Sequence, residues 1–264
     1  MSPRPLFSKL LNQVPYVGHA FFTREGGASQ GIYKSLNMIS SRTDNPDSVQ
    51  ENWHRAAHYL GLATENLIAP HLIHGGNALC VKMPFKMPKV ETRPKVDALV
   101  TSTPQLAIGI TSADCVPILL AAQNHPLVAA IHAGWKGAFS GIIDNTLEIF
   151  KQARIPFNEI IAALGPCIHK ENYEVGQEVL DKCRDVSLQA DQFFTEYNSY
   201  KKTFLFNLPG YVIFQLQQAG LEKIEQLPFN TYRNDKLFFS CRRSFHQGVL
   251  NFGGHLSAIY INKK

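Results

Sequence analysis

The sequence predicts a single α/β domain over residues 1–264, and three observations predict it. Short apolar runs bounded by turn residues interleave with segments of helical periodicity along the whole chain. No segment repeats, and no linker or break in composition divides the chain. With 264 residues and 45% hydrophobic content, the chain can bury a sizeable core.

In order, residues 17–23 read as a strand and Arg24-Glu25-Gly26-Gly27 as the turn after it, which sets Arg24 at a strand end. The next short run ends in Ser35-Leu36-Asn37, where Asn37 is a turn residue or a site amide. Asp44-Asn45-Pro46 has the chemistry of a helix start, a capping side chain ahead of a proline in the first turn. Val49, Trp53, Ala56, Ala57 and Leu60 then share one face until Gly61, while His54 and His58 fall off it toward solvent. Between residues 66 and 81, strand-like residues are interrupted by Pro70 and by Gly75-Gly76, so His71 and His74 are not expected to share a helix face. Residues 82–96 read as an exposed loop and 97–101 as a strand. Residues 159–164 predict a further buried strand ending in Gly165-Pro166-Cys167, and 174–185 a helix with Cys183 as a core thiol. A helix from Leu208-Pro209 to Gly220 and a final strand over 256–261 complete the chain.

The charge is mild: 26 basic against 21 acidic residues, net +5, in nothing longer than pairs such as Arg242-Arg243. That suits a small anion such as phosphate and lacks the basic stripe of a nucleic-acid binder. Cys80, Cys115, Cys167, Cys183 and Cys241 are odd in number with no C-x-x-C pair, which argues against a disulfide framework and for a reducing compartment. The N-terminus lacks a continuous apolar stretch, and the longest strongly apolar run, Val116–Ala122, is far too short to cross a bilayer. The expectation is a cytoplasmic protein with no membrane partner.

Residues 106–141 concentrate the chemistry, because two apolar runs there each lead to a potential metal ligand. Cys115 follows the first run, beside Asp114, and His132 ends the second in His132-Ala133-Gly134-Trp135-Lys136-Gly137. Ile142, Ile143, Leu147 and Phe150 have helical spacing, which places His132 on a strand-to-helix turn whose free N–H groups suit an anion. With His74, these residues form a Cys/His₂ set of the kind zinc accepts with an open fourth position. Their separations, 17 residues from Cys115 to His132 and 41 from His74 to Cys115, match no zinc-finger pattern. Taken alone, the spacing leaves open both a metal site and its bland alternative, satisfied turn histidines beside an inert buried thiol. The zinc-deaminase signature, which combines H-x-E with P-C-x-x-C, is absent, because no P-C-x-x-C occurs.

Several ordered motifs carry a resemblance: Thr23-Arg24-x-Gly26-Gly27-x-Ser29, Ser35-Leu36-Asn37, His74-Gly75, Asp97-Ala98-Leu99-Val100-Thr101, Ala113-Asp114-Cys115-x-Pro117, His132-Ala133-Gly134-Trp135-Lys136-Gly137, Gly165-Pro166-x-Ile168 and Phe239-Ser240-x-Arg242-Arg243. Together they resemble the multicopper polyphenol oxidase (laccase-domain) family, whose members are read as zinc-dependent purine nucleoside phosphorylases with adenosine deaminase activity. The resemblance implies a single-domain layered sandwich of mixed β-sheets flanked by helices. It implies zinc, with copper as the alternative ion, on His74, Cys115 and His132. It further implies Arg24 as a contact to phosphate or nucleoside and Asn37 as a neighbouring polar position. The partners would be phosphate and purine nucleosides (adenosine, inosine, guanosine or methylthioadenosine), in a monomer or small homo-oligomer. This chain departs from the family pattern at Leu72, Asn230 and His255, which puts substrate contacts near the last strand in question while leaving the triad untouched.

For deamination, zinc would activate water for attack at C6 of adenine, with Asp114 as a proton carrier or, equally, as the cap of its own turn. For phosphorolysis, Arg24 and the N–H groups of the 134–137 turn would hold the anion. A rival reading removes the metal and makes Cys115 a thiolate nucleophile with His132 as base, a hydrolase or deamidase. Against it stands the expectation that an unpaired thiol after an apolar strand has a raised pKa. Copper-dependent phenol oxidation would require several copper centres, more than one Cys/His₂ triad can build. A non-enzymatic metal-binding module is the remaining alternative.

Overall fold

The computed structural model describes residues 2–40, 43–87 and 90–263. In chain order its elements are β1 (Val17–Phe21), α1 (Pro46–Tyr59), β2 (Leu67–Ile68), β3 (Ala78–Cys80), β4 (Ala98–Thr101), β5 (Ala107–Ser112), β6 (Val116–Ala122), β7 (Val128–Ala133), α2 (Trp135–Phe139) and α3 (Ile142–Gln152). Next come β8 (Ile160–Leu164), β9 (Glu174–Gly176), α4 (Gln177–Arg184), β10 (Phe194–Asn198), β11 (Thr203–Phe206), α5 (Leu208–Gln218), β12 (Lys223–Gln226), α6 (Cys241–His246) and β13 (His255–Ile261).

Hydrogen-bonded neighbours form a six-stranded sheet in the order β12-β8-β6-β7-β4-β3, a four-stranded sheet β1-β13-β5-β2 and a three-stranded sheet β10-β11-β9. The larger two are mixed: β6 runs antiparallel to β7 and β8, while β12 joins β8 and β3 joins β4 in parallel, and β2 runs parallel to β5. The alternation of β6 shows how they stack. Leu119 and Ala121 pack with Ile108, Ile110 and Ile259 of the four-stranded sheet. Ile118 and Leu120 instead pack with Ile142, Leu147 and Phe150 of α3 and Val212 and Leu216 of α5. On the far face of the four-stranded sheet, Ala107, Leu256 and Ala258 meet Val49, Trp53 and Ala56 of α1. The architecture is therefore a mixed α/β sandwich, two sheets face to face with helices outside. All seven residues of β6 are buried because both of its faces are covered, which is why it reads as an unbroken apolar run. Cutting Leu119 to alanine there would cost about 2–5 kcal/mol.

The expected helix start at Asn45 is present: its side chain accepts from the amides of Asp47 and Ser48 at 2.8 and 3.2 Å, with Pro46 in the first turn. Residues 174–176 differ from the expected helix. They form β9, pairing Val175 with Phe204 and Glu174 with Leu205, and the helix begins only after Gly176 in an extended conformation. The helical spacing of Val175, Val179 and Cys183 arises because strand and helix both face the same core. The helix expected after Gly137 is α3, and a separate short helix, α2, precedes it from Trp135. In the loop expected to be exposed, Arg93 is buried, donating Nε to the Met87 carbonyl at 2.8 Å, and Pro88 and Lys89 lie outside the described residues. No helix among the described residues is long and apolar enough to cross a membrane.

Candidate metal centre

Strands β6 and β7 pair in a register that sets Val116 opposite Ala133 and Pro117 opposite His132. Period-2 alternation then places Cys115, one residue before β6, on the same face as Pro117 and His132, at one end of the six-stranded sheet. His74 arrives from the loop between β2 and β3, in the left-handed conformation at φ 58°. The ligand atoms of His74, Cys115 and His132 all lie within 4.8 Å of one another, and the two imidazole planes stand at 87°. His74 is exposed, Cys115 half-buried and His132 buried, so the group opens to solvent on one side.

Asp97 holds this arrangement. Its fully buried carboxylate accepts from His132 Nδ1 at 2.9 Å and from the amides of His74, Gly75 and Ile73 at 2.9, 2.7 and 3.2 Å. A carboxylate on Nδ1 fixes that nitrogen as the proton carrier and leaves the Nε2 lone pair for a ligand. The same carboxylate gathers the loop that carries His74. Burial pushes Asp97 up, but the His132 hydrogen bond and those from Gly75 and His74 outweigh it, and the carboxyl sits below its usual range. The sequence offered Asp97 as the start of a strand and of one resemblance motif, with no role attached. An aspartate before a strand is ordinarily a turn residue, and nothing local distinguishes this one.

The triad is electrostatically coupled. Burial raises the Cys115 thiol, but the charge and hydrogen bond of His132, then those of His74, bring it down to about 6. Burial lowers His132, while the Cys115 charge and the Asp97 hydrogen bond raise it to about 9. Burial does push the thiol up, as expected of an unpaired one, but here it is paired, and the two imidazoles outweigh burial and favour the thiolate. Thiolate is the form a metal binds. The fit to zinc is also steric. A Cβ on Gly134 would come within 2.9 Å of Cys115 Sγ and 3.2 Å of His74 Cδ2, so only glycine leaves the donor atoms room to converge.

The remaining candidate residues have most of their polar atoms engaged in the protein's own hydrogen bonds. Asp114, at φ 94°, turns its carboxylate away from its own turn and accepts from Thr231 Oγ1 at 2.6 Å, Ser240 Oγ at 3.0 Å and the Arg242 amide at 2.7 Å. Burial raises its pKa against those three bonds. Arg24 donates to the carbonyls of Lys34, Asp235 and Ile32 at 2.7, 3.0 and 3.3 Å and lies 4.2 Å over the Phe239 ring. Asn37 is fully buried; its amide donates to Ile39 and Asp44, and its carbonyl accepts from the amides of Ile39 and Gly254. The structure thus brings together His74, Cys115 and His132 and seats Asp114 next to Cys115, while Arg24 and Asn37 lie in the 24–39 loop, bonded to Asp235 and Gly254 rather than to the triad. Of the departures, Leu72 packs against the inter-sheet core. Asn230 donates to Glu171 and Asn172 at 3.0 and 2.9 Å. His255 is buried with neither ring nitrogen partnered among the described residues, and burial, then the charges of Arg24 and Arg243, push it down to about 3.

A mixed α/β sandwich with a Cys/His₂ group at one sheet end defines the class. Residues 18–262 match the family model described as "Multi-copper polyphenol oxidoreductase laccase", and the chain belongs to that family. Among curated relatives, a "Purine nucleoside phosphorylase" of Deinococcus radiodurans is 38% identical over 65% of this chain and 65% of its own length. One of Mycobacterium tuberculosis, carrying the same name, is 31% identical over 86% of each chain. The match thus spans just under two thirds of the Deinococcus relative's length. Among solved structures, YfiH of Bacillus licheniformis superposes with a TM-score of 0.91 at 27% identity over 99% of this chain and 97% of that one. A Neisseria meningitidis protein does so with a TM-score of 0.84 at 28% identity over the full length of both.

Proposed function

We propose that this protein is a purine nucleoside phosphorylase that also deaminates adenosine, working at a zinc ion held by His74, Cys115 and His132 in the cytoplasm. The observation that carries the reading is the convergence of the three ligand atoms within 4.8 Å, with Asp97 on His132 and the glycine at 134 keeping the space open. The naming of the relatives as purine nucleoside phosphorylases supports the substrate class. Zinc with an open fourth position would supply a Lewis acid and lower the pKa of a bound water to about 7; copper is the alternative ion, since it outranks zinc in intrinsic affinity.

The chain's own residues have separable tasks. Asp97 keeps the His132 proton on Nδ1 and holds the His74 loop against the sheet. Asp114 is a positioning residue that ties residues 231–242 to the residue next to Cys115, a role its three donors support better than proton transfer. Arg24 and Asn37 shape the adjoining wall, Asn37 from beneath the surface. Adenosine, inosine, guanosine and methylthioadenosine are the candidate nucleosides, with phosphate as co-substrate, in a monomer or small homo-oligomer.

One observation favours a second reading: the thiolate at Cys115 would also serve a metal-independent Cys-His hydrolase or deamidase. His74 divides the two. With zinc, His74→Ala removes one of three ligands, so zinc content and turnover of adenosine and inosine fall together and chelation inactivates the wild type reversibly. With a nucleophilic thiol, His74→Ala is tolerated and iodoacetamide labels Cys115 rapidly. Full nucleoside turnover in metal-free His74→Ala protein overturns the zinc reading, and zinc binding without turnover leaves a metal-binding module.

A further inference from the structure

We infer that Arg242 is the residue that grips the phosphate nucleophile, an inference that rests on the proposed phosphorolysis. Three guanidinium groups surround the segment that Asp114 ties to Cys115, and they differ in how many donors they have free. Arg24 uses all three of its nitrogens on carbonyls, at 2.7, 3.0 and 3.3 Å. Arg243 gives Nη1 to the Thr231 and Tyr232 carbonyls at 2.6 and 2.9 Å and Nη2 to Phe238 at 2.6 Å. Both are structural braces. Arg242 makes a single side-chain hydrogen bond, Nη1 to the Glu174 carbonyl at 2.6 Å, and no carboxylate pairs with it among the described residues. Most of the five N–H donors of its fork are therefore free.

Its placement suits the task. The Arg242 amide is held 2.7 Å from Asp114 Oδ2, so the residue is fixed beside the immediate neighbour of Cys115. Its guanidinium lies 5.1 Å from the centre of the Tyr173 ring, which with the Glu174 carbonyl sets its plane. Arg242, Tyr173 and Cys115 are all half-buried, and the Tyr173 hydroxyl lies in the field of both Cys115 and Arg242. That hydroxyl makes no hydrogen bond among the described residues and can donate to an anion. A planar, fixed fork with free N–H groups matches two phosphate oxygens at once, which a point charge cannot do.

In the reaction this grip serves, an oxygen of hydrogen phosphate forms the bond to the ribose anomeric carbon as the glycosidic C–N bond breaks. The bonding pair leaves on the purine nitrogen, the phosphate proton ends on the purine, and ribose 1-phosphate is released. Deamination uses no anion. Arg242 should therefore act on the phosphate-dependent reaction and leave the other alone.

The test measures inorganic phosphate binding to the zinc-loaded protein by isothermal titration, together with inosine phosphorolysis across phosphate concentration and adenosine deamination without phosphate. Arg242→Gln should weaken phosphate binding and raise the phosphate KM at least about tenfold while deamination stays within about twofold. Arg242→Lys, which keeps the charge and loses the fork, should fall between, and the exposed Arg233→Gln should match the wild type. Wild-type phosphate binding and KM in Arg242→Gln overturn the inference, as does a loss confined to Arg24→Gln. If the wild type phosphorolyses nothing, the proposed function fails separately. The titration still reads Arg242 in that case: binding lost in Arg242→Gln upholds the grip, and equal or absent binding in the wild type refutes it.

Discussion

Replacing Asp97 by asparagine keeps the volume and removes the charge, and the surrounding donors determine the outcome. Oδ1 receives His132 Nδ1 and the His74 amide, each at 2.9 Å, while Oδ2 receives the amides of Gly75 and Ile73 at 2.7 and 3.2 Å. An asparagine NH₂ must face one of these donor pairs. Turned toward Gly75 and Ile73, it sets N–H against N–H and loosens the loop that carries His74. Turned toward His132, it donates to Nδ1 and drives the ring proton to Nε2, the position a metal needs free. Either way two charge-assisted hydrogen bonds are lost at about 1.5–3 kcal/mol each, so the metal-free protein should lose roughly 3–6 kcal/mol. At about 2–4 °C per kcal/mol for a chain near this size, Tm should fall by roughly 10 °C. Losing the carboxylate that orients a metal-bound imidazole weakens metal binding about 10–100-fold, equivalent to about 1.4–2.8 kcal/mol. A competitive chelator titration and a thermal melt of the same preparation read both effects. Zinc affinity within about twofold of the wild type, with Tm unchanged, would refute the role given to Asp97.

Gly134→Ala should lose zinc without losing the fold. Its backbone, at φ −77° and ψ 167°, suits alanine, so only the Cβ placed 2.9 Å from Cys115 Sγ interferes; zinc content equal to wild type with an unchanged circular dichroism spectrum would sink this. The fold should also be acid-labile through His19, whose Nε2 accepts from the Ser8 amide at 2.8 Å. Burial lowers His19 from its ordinary 6.5 to about 4, with Glu225 opposing. Because the folded pKa lies below the unfolded one, the unfolded chain takes the proton first. Stability present above pH 6.5 is therefore lost as pH falls toward 4, by roughly 3 kcal/mol from this residue. His255, held down to about 3, adds in the same direction. A urea midpoint that stays flat from about pH 7 to about pH 4 would contradict this.

What the sequence discloses is what neighbours along the chain decide. The Asn45 cap, the buried run of β6 and the termination of α5 depend on residues within a few positions, and they are where the pattern puts them. Layer order is different: β6 carries apolar residues on both faces, so nothing in it says which side meets a sheet and which a helix. The hairpin of β10 and β11 has partly exposed, weakly alternating strands and escapes pattern reading, and β9 is hidden by a spacing that strand and helix happen to share.

The same divide explains the thiol. Judged by its chain neighbours, Cys115 follows apolar residues and should be protonated, and burial does push it that way. Its charge state is decided instead by His132 and His74, brought to it by strand register and by Asp97. A shift of one residue in the β6–β7 register would turn Cys115 or His132 to the opposite face and separate the pair. The site is therefore legible as ligand types, since only Cys and His donors at strand ends and glycine turns suggest zinc. It is not legible as an electrostatic unit. That is also why the sequence quotes Asp97, Asp114 and Arg242 in its motifs without disclosing their roles: the first two are defined by the donors they receive, and the third by the donors it keeps free.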